Sequence, residues 1–165
     1  SWVASWKKGF DLNFGGKLGA PKFMTPVIYE FLMHWGEVSE DAEVRQHVLT
    51  TLDGMAYGGV YDQIGGGFSR YSVDPKWHVP HFEKMLYDNA QLLSLYAHGF
   101  ALFGEPDYRK IIVETLDFLN RELKRPEGGY YASLDADSLN ESQELEEGAF
   151  YTWTEAALQT HLGAH

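Results

Sequence analysis

Gly58-Gly59-Val60-Tyr61-Asp62 breaks a chain whose apolar residues otherwise recur at helical spacing, and its reading decides the fold. Before it, Val44, Val48, Leu52 and Met55 form a stripe that ends at the glycine pair. A second stretch, Gly128-Gly129-Tyr130-Tyr131 leading to Asp135, follows another pair of helical patterns, and Gly15-Gly16 stands as an earlier instance. Helical hairpins repeated irregularly, each followed by glycines, an aromatic residue and an acidic loop, fit a solenoid or a closed α/α toroid. In such an array the loops of one face line a common mouth. A plain helical bundle with glycine-rich turns fits the periodicity equally well.

Working outward, Thr25-Pro26 reads as an N-cap and first helical position, followed by Val27, Ile28, Phe31, Leu32 and Trp35, with Gly36 as the stop. Ser39 reads as the start of the next helix, with Glu40 and Asp41 in its first turn. Pro80 is expected to open a helix over about 81–103 that buries Phe82, Met85, Leu86, Leu93, Tyr96 and Phe100. After the turn Gly104-Glu105-Pro106, a fourth helix is marked by Tyr108, Ile111, Ile112, Leu116, Leu119 and Leu123, and Thr154-Glu155 begins a fifth. Residues 60–80 read as irregular, with a short hairpin carrying Phe68, Tyr71 and Val73. Residues 130–134 and 149–153 read as two short strands joined by an acidic loop. The expected fold is mainly all-α, a single partial domain over 1–165 with short β-hairpins in its loops.

Composition bounds the function. The 165 residues suffice for one domain with a core, and the 44% hydrophobic and 22% charged fractions are those of a globular protein. A net charge of −11 repels phosphate backbones, which argues against nucleic-acid binding. No apolar run approaches the ~20 residues of a membrane span, and Ser1-Trp2-Val3-Ala4-Ser5-Trp6 is not a secretory leader. The chain starts without Met and stops soon after a helix begins, so both ends read as cuts from a longer protein. The absence of cysteine removes disulfides and thiolate metal sites and suits a reducing compartment, so a cytoplasmic location is expected. The aromatic fraction of 15% is high; such rings fill cores first and line carbohydrate or small-ligand clefts second.

Residues 61–89 concentrate the chemistry, with two His, an Arg, a Glu, three Asp and four Tyr or Trp. A loop this long inside a compact domain is more often functional than filler. His78 and His81 are the general acid or base candidates, with hydrogen bonding to loop backbone as the structural alternative. His81, placed in the first helical turn, would be held neutral by the helix end. Pro80 prevents a regular helix through both histidines and no third ligand is identifiable, so neither a metal nor another cofactor is expected. Lys84 and Asp88, and likewise Glu83 and Tyr87, stand four apart on helix faces, where ion pairs are the structural alternative. Asp135 and Asp137, alternate residues after a strand, would face one side; paired carboxylates share acid and base roles or hold a cation. The run 135–140 departs from a calcium loop at Leu139 and Asn140. Glu141, Glu144 and Glu146 read as a solvated loop, while Glu147 beside Gly148 can return to the mouth. Gly65-Gly66-Gly67 lacks the ending of a phosphate loop, and no Ser sits in a nucleophile elbow.

Four stretches carry a resemblance: Gly15-Gly16-Lys17-Leu18-Gly19-Ala20-Pro21-Lys22-Phe23, then 55–68, then His78-Val79-Pro80-His81-Phe82-Glu83-Lys84-Met85-Leu86-Tyr87-Asp88-Asn89-Ala90-Gln91, then Asp135-Ala136-Asp137-Ser138. In order and spacing they resemble the spermatogenesis-associated, thioredoxin-domain-containing protein family over nearly the whole chain. The resemblance implies about half of a six-hairpin (α/α) toroid, similar to N-acylglucosamine 2-epimerases and several glycosidases, without the family's N-terminal thioredoxin-like domain. Two departures stand out: Met24-Thr25-Pro26 replaces the usual Pro after Phe23, and the stretch 139–146 is longer than the family's short link.

Three functions compete. A sugar-active enzyme would use His78 or His81 in an epimerase-like reaction, or Asp62, Asp88, Asp135 and Asp137 in hydrolysis, where carboxylates stand about 5–10 Å apart. Tyr61, Arg70, Tyr71, Trp77, Glu83, Tyr87 and Asn89 would then contact a saccharide or other small polar ligand. A non-catalytic module would use the same mouth to recognise a peptide or glycan. A structural role would leave these groups tying helices and loops together. Apolar helix faces left open in a partial toroid are expected to make the chain self-associate.

Overall fold

The computed structural model describes residues 2–163. The helices are α1 (Trp2–Lys7), α2 (Pro26–Val38), α3 (Ala42–Tyr57), α4 (Leu86–Phe103), α5 (Pro106–Phe118), which runs on through a wider π turn (Leu119–Leu123), and α6 (Glu155–Leu162). Short strands lie between them: β1 (Lys22–Phe23), β2 (Tyr71–Ser72), β3 (Pro80–His81), β4 (Lys84–Met85), β5 (Ser133–Leu134), β6 (Asp137–Leu139) and β7 (Leu145–Glu147). No helix among the described residues is long and apolar enough to cross a membrane.

α2 packs on α3 and α4 on α5, each pair joined by a tight connection, and α2 lies against α4. The chain therefore forms two complete helical hairpins side by side, flanked by α1 and α6. Every tight connection is at one end and every long loop at the other. The long loops are stitched together: β1-β2-β3 joins the loop before α2 to the loop before α4. β4 pairs with β5 to bring in the loop after α5. Loops of successive hairpins thus share one face, the arrangement that the mouth of a toroid requires.

Val44, Val48, Leu52 and Met55 are all fully buried, as their spacing predicts. The buried face of α2 is instead Tyr29, Leu32, Met33 and Gly36, while Val27, Ile28 and Phe31 are exposed. α2 is apolar nearly all round, so periodicity alone does not choose its face; Gly36 does, because a side chain there would press on Arg45 of α3. α4 buries Leu92, Leu95, Tyr96 and Gly99, and Phe100 is at the surface.

Some helix starts are corrected. Asp41, not Ser39, caps α3: its Oδ1 accepts the Val44 N–H at 3.2 Å and binds Lys7 at 2.8 Å. Thr25 precedes Pro26 with φ 38° and no side-chain cap, whereas Thr154 caps α6 through the Ala157 N–H. α4 begins at Leu86, because Pro80–His81 and Lys84–Met85 are drawn into extended pairing with β2 and β5. The strand expected at 149–153 is absent; 145–147 pairs with 137–139 instead.

Two mouth loops are copies of one another. Phe10-Asp11-Leu12-Asn13-Phe14-Gly15-Gly16-Lys17 and Tyr61-Asp62-Gln63-Ile64-Gly65-Gly66-Gly67-Phe68 are each closed by a bridge between first and last residue. In each, the Asp Oδ1 accepts the N–H groups two and three residues on. In each, a buried Lys donates to the Asp Oδ2 and to a glycine carbonyl: Lys22 to Asp11 and Gly15, Lys84 to Asp62 and Gly66. An aromatic ring covers the ammonium, Trp77 for Lys22 and Phe118 for Lys84. The glycine pairs Gly15-Gly16, Gly66-Gly67 and Gly128-Gly129 all have positive φ, a region L side chains rarely adopt. The true counterpart of Gly15-Gly16 and Gly128-Gly129 is therefore Gly66-Gly67. Gly58-Gly59 instead ends α3, and Gly59 donates its N–H to Trp77.

Behind the mouth, tyrosine–carboxylate bonds clamp α3 and its following loop to α5: Tyr57 to Asp107 (2.6 Å), Tyr61 to Glu114 (2.6 Å) and Tyr108 to Asp53 (2.7 Å). Tyr108 is fully buried and Tyr57 is 65% exposed. Tyr108→Phe is accordingly expected to cost about 1–2 kcal/mol, and Tyr57→Phe much less, which the midpoints of urea unfolding will compare.

Candidate functional site

The stitched loops place several polar groups together around His81. His81 lies on β3, its ring stacked on Tyr71 of β2 with centroids 4.9 Å apart, and Phe23 of β1 continues the stack at 4.8 Å. The ring stands between two carboxylates: Nδ1 is 2.7 Å from Glu147 Oε1, and Nε2 is 3.6 Å from Glu83 Oε2. Arg70 donates to the same Glu83 oxygen at 3.1 Å. Glu83, then Tyr87, hold the Arg70 guanidinium above its usual range.

Asp88 is in the first turn of α4, next to this group. Its Oδ2 is buried without a hydrogen-bond partner. Burial pushes the carboxyl up to about 6; Arg70 pulls it down and Glu83 pushes it further up. A carboxyl with that value exchanges its proton near neutrality. Tyr87 beside it is 47% exposed.

His81, Arg70, Tyr71, Glu83, Tyr87 and Asp88 are thus brought together. The helix-end argument for His81 does not hold, since α4 starts five residues later. Nor do the two spacings of four form helix-face pairs. Lys84 precedes α4 and bonds Asp62, and Glu83 likewise lies ahead of the helix and bonds Arg70.

Other expected site residues lie elsewhere. Trp77 is fully buried, and its Nε1 donates to the Phe14 carbonyl, locking the first loop to the second. Asn89 is fully buried; its amide accepts the Phe68 N–H and donates to the Phe68 carbonyl, as a neighbouring strand would. Tyr61 is buried, with its hydroxyl on Glu114. Asp62 is bound to Lys84 and to its own loop. His78 is exposed, its backbone N–H held by Asp74. Trp77, Asn89, Tyr61 and Asp62 thus commit their polar atoms to the loops of the mouth and to α5.

Asp135 and Asp137 do share a face, along a cavity of ≈ 630 Å³ also lined by Asp62, Lys84, Arg121 and Trp153. His81, Glu83 and Asp88 are not among its walls. Among the described residues no three His, Asp or Glu side chains are placed to hold a metal ion. Glu147 enters the His81 cluster from a distant loop; its pairing with Gly148 was the one sequence signal. Arg121, which donates to the Gly65 carbonyl at 2.7 Å, had none.

No protein-family model matches the chain. It is 45% identical over 160 residues to spermatogenesis-associated protein 20 of Homo sapiens, covering 94% of this chain and 20% of that protein. The Mus musculus protein of the same name is 43% identical over 160 residues, with the same coverage. The chain therefore spans about a fifth of the length of the curated relatives it matches. Among solved structures, cellobiose 2-epimerase from Spirochaeta thermophila matches with TM-score 0.71 and 21% identity, over 81% of this chain and 36% of that one. Cellobiose 2-epimerase from Bacillus thermoamylovorans matches with TM-score 0.66 and 15% identity, over 88% and 42%. A family 76 glycoside hydrolase from a bovine Bacteroides thetaiotaomicron strain matches with TM-score 0.60 and 15% identity, over 88% and 34%. At these identities the likeness is one of fold, the helical toroid.

Proposed function

For this homologue of spermatogenesis-associated protein 20, we propose a sugar-active site at the His81 cluster, acting by proton transfer on a neutral saccharide. The observation that carries the reading is Asp88, a half-buried carboxyl whose Oδ2 is buried without a hydrogen-bond partner, held beside Arg70 and Glu83 in the group that includes the His81 imidazole. In an epimerase-like reaction a base takes the proton from the carbon next to a carbonyl, and an acid returns a proton from the opposite face. His81 through Nε2 and Asp88 are the groups assigned to that exchange, while Arg70 and Glu83 orient hydroxyl groups and Tyr71 and Tyr87 offer ring faces. Sugar epimerases among the structural neighbours support the reading at the level of fold. The cluster sets the carboxylates of Glu83, Asp88 and Glu147 against Arg70 and His81, so a neutral sugar fits better than a phosphorylated one.

A binding module without turnover is the second reading. It is favoured by the mutual satisfaction of Arg70 with Glu83 and His81 with Glu147, which hold their geometry without a ligand. The two separate in deuterium oxide. Cellobiose, glucose, mannose and N-acetylglucosamine are offered to this chain and to the human relative in parallel, with glucose 6-phosphate as the charged control. An epimerase incorporates deuterium at the carbon next to the carbonyl. A binding module raises the melting temperature without exchange. No shift and no exchange with any saccharide rejects the proposal. The cytoplasmic location and self-association through Val27 and Phe31 belong to the same proposal, and light scattering of the chain tests the latter.

A further inference from the structure

We infer that Glu147, carried by the β6–β7 hairpin, positions His81 by holding a proton on Nδ1, so that Nε2 is the atom that exchanges with a ligand. The inference rests on the acid–base reading of the cluster and deepens it.

The two carboxylates beside the ring are not equivalent. Glu147 Oε1 is 2.7 Å from Nδ1, within a charge-assisted hydrogen bond, while Glu83 Oε2 is 3.6 Å from Nε2, beyond one. Glu83 is also engaged by Arg70. The nitrogen held in a hydrogen bond is therefore Nδ1, and Nε2 is the one left open to a ligand. The general pattern is that of a histidine whose second nitrogen is fixed by a carboxylate.

Glu147 is itself held. The same Oε1 accepts the Phe82 N–H at 3.3 Å, pinning the carboxylate to the backbone directly after His81. The next residue, Gly148, has φ 77° and lies under the Phe82 ring, where an added Cβ would stand 2.5 Å from a ring carbon. Gly148 donates to the Ala136 carbonyl at 2.9 Å. At the far end of the hairpin Asn140 accepts the N–H groups of Ser142 and Glu144 and donates to Glu146. The hairpin thus delivers one side chain to one ring, across a gap of 66 residues in sequence.

Nitrogen-15 NMR of the full chain, without saccharide, tests this. In the wild type the neutral His81 ring is expected to carry its proton on Nδ1. Glu147→Gln should keep that tautomer, since the amide oxygen still accepts. Glu147→Ala should shift the tautomer ratio towards Nε2–H by about tenfold. Gly148→Ala keeps the carboxylate and displaces it, and should shift the ratio in the same direction. An Nε2–H ring in the wild type overturns the inference. So does an unchanged tautomer in Glu147→Ala, including when that variant only melts earlier, which is the signature of a merely structural bond. Because no sugar enters the measurement, a Glu147-dependent tautomer in a chain that binds no saccharide rejects the proposed function and leaves the positioning intact.

Discussion

Lys84→Ala is expected to cost about 3–5 kcal/mol, a large part of the stability of a domain this size. The Lys84 side chain is only 2% exposed, and its ammonium donates to Asp62 Oδ2 at 2.8 Å and to the Gly66 carbonyl at 2.9 Å. It lies 4.6 Å from the Phe118 ring centre and 4.9 Å from that of Tyr151. Removing it leaves a largely buried carboxylate and a carbonyl without their partner, and the loss comes mainly from those orphaned groups. Removing both charges is a milder change. Lys84→Met with Asp62→Asn keeps the Oδ1 acceptor for the loop N–H groups and should recover most of the loss. Burial raises the Asp62 carboxyl, but Lys84 and the N–H groups of Gly65 and Ile64 overcome it and hold it below the usual range. The folded value is depressed, so the contribution is present above the ordinary carboxylate range and is lost as pH falls below it. Urea midpoints at constant m-value measure both variants against wild type; a Lys84→Ala midpoint within error of wild type rejects the argument. Lys22 at Asp11 should behave alike.

Asp88→Asn is expected to act in opposite directions on stability and on turnover. The folded carboxyl is raised from 3.8 to about 6, so the native state favours the proton and stability falls as pH rises through that interval. Above it, the wild type carries a half-buried charge that the amide lacks. Asp88→Asn should therefore be more stable by about 1–2 kcal/mol at neutral pH. The advantage should fade towards pH 4, where Asp88 is protonated. Turnover of a saccharide, by contrast, should drop about 10²–10⁴-fold, the usual share of a general acid or base. Melting curves across that pH range and deuterium exchange on the same samples give both numbers. A variant that loses stability at neutral pH would mean that the Asp88 charge is compensated by a contact, and a variant with full turnover would remove Asp88 from the chemistry.

What the sequence revealed follows the range of the forces involved. The stripe from Val44 to Met55 and the starts at Pro26 and Thr154 depend on neighbours within a turn or two, and they match the structure. The toroid was legible from the glycine repeat only in part, because Gly58-Gly59 imitates in composition what Gly66-Gly67 does in backbone conformation. Helical spacing pairs Lys84 with Asp88, whereas its partner Asp62 is distant in sequence and is met only through folding. Trp77 and Asn89 looked available because polar loops are usually exposed. They are buried because their polar atoms satisfy loop backbone that no strand reaches. Pro80 fits a helix start and an extended residue equally, and the two-residue strands that decide between them leave no periodic trace.

The stitching of the loops also sets an order of assembly. Each helical hairpin closes through contacts between sequence neighbours, whereas the mouth closes only when residue 22 meets 72 and residue 84 meets 134. Contacts of long sequence separation form late and, with so few backbone bonds in each, open early. Amide hydrogens of β1 to β5 should therefore exchange faster than those of α3 and α4. A ligand seated at His81 would bridge strands from separate loops and slow that exchange most where the free chain is loosest. Kinetic labelling of the mouth would thus register a ligand even when the melting of the helices does not.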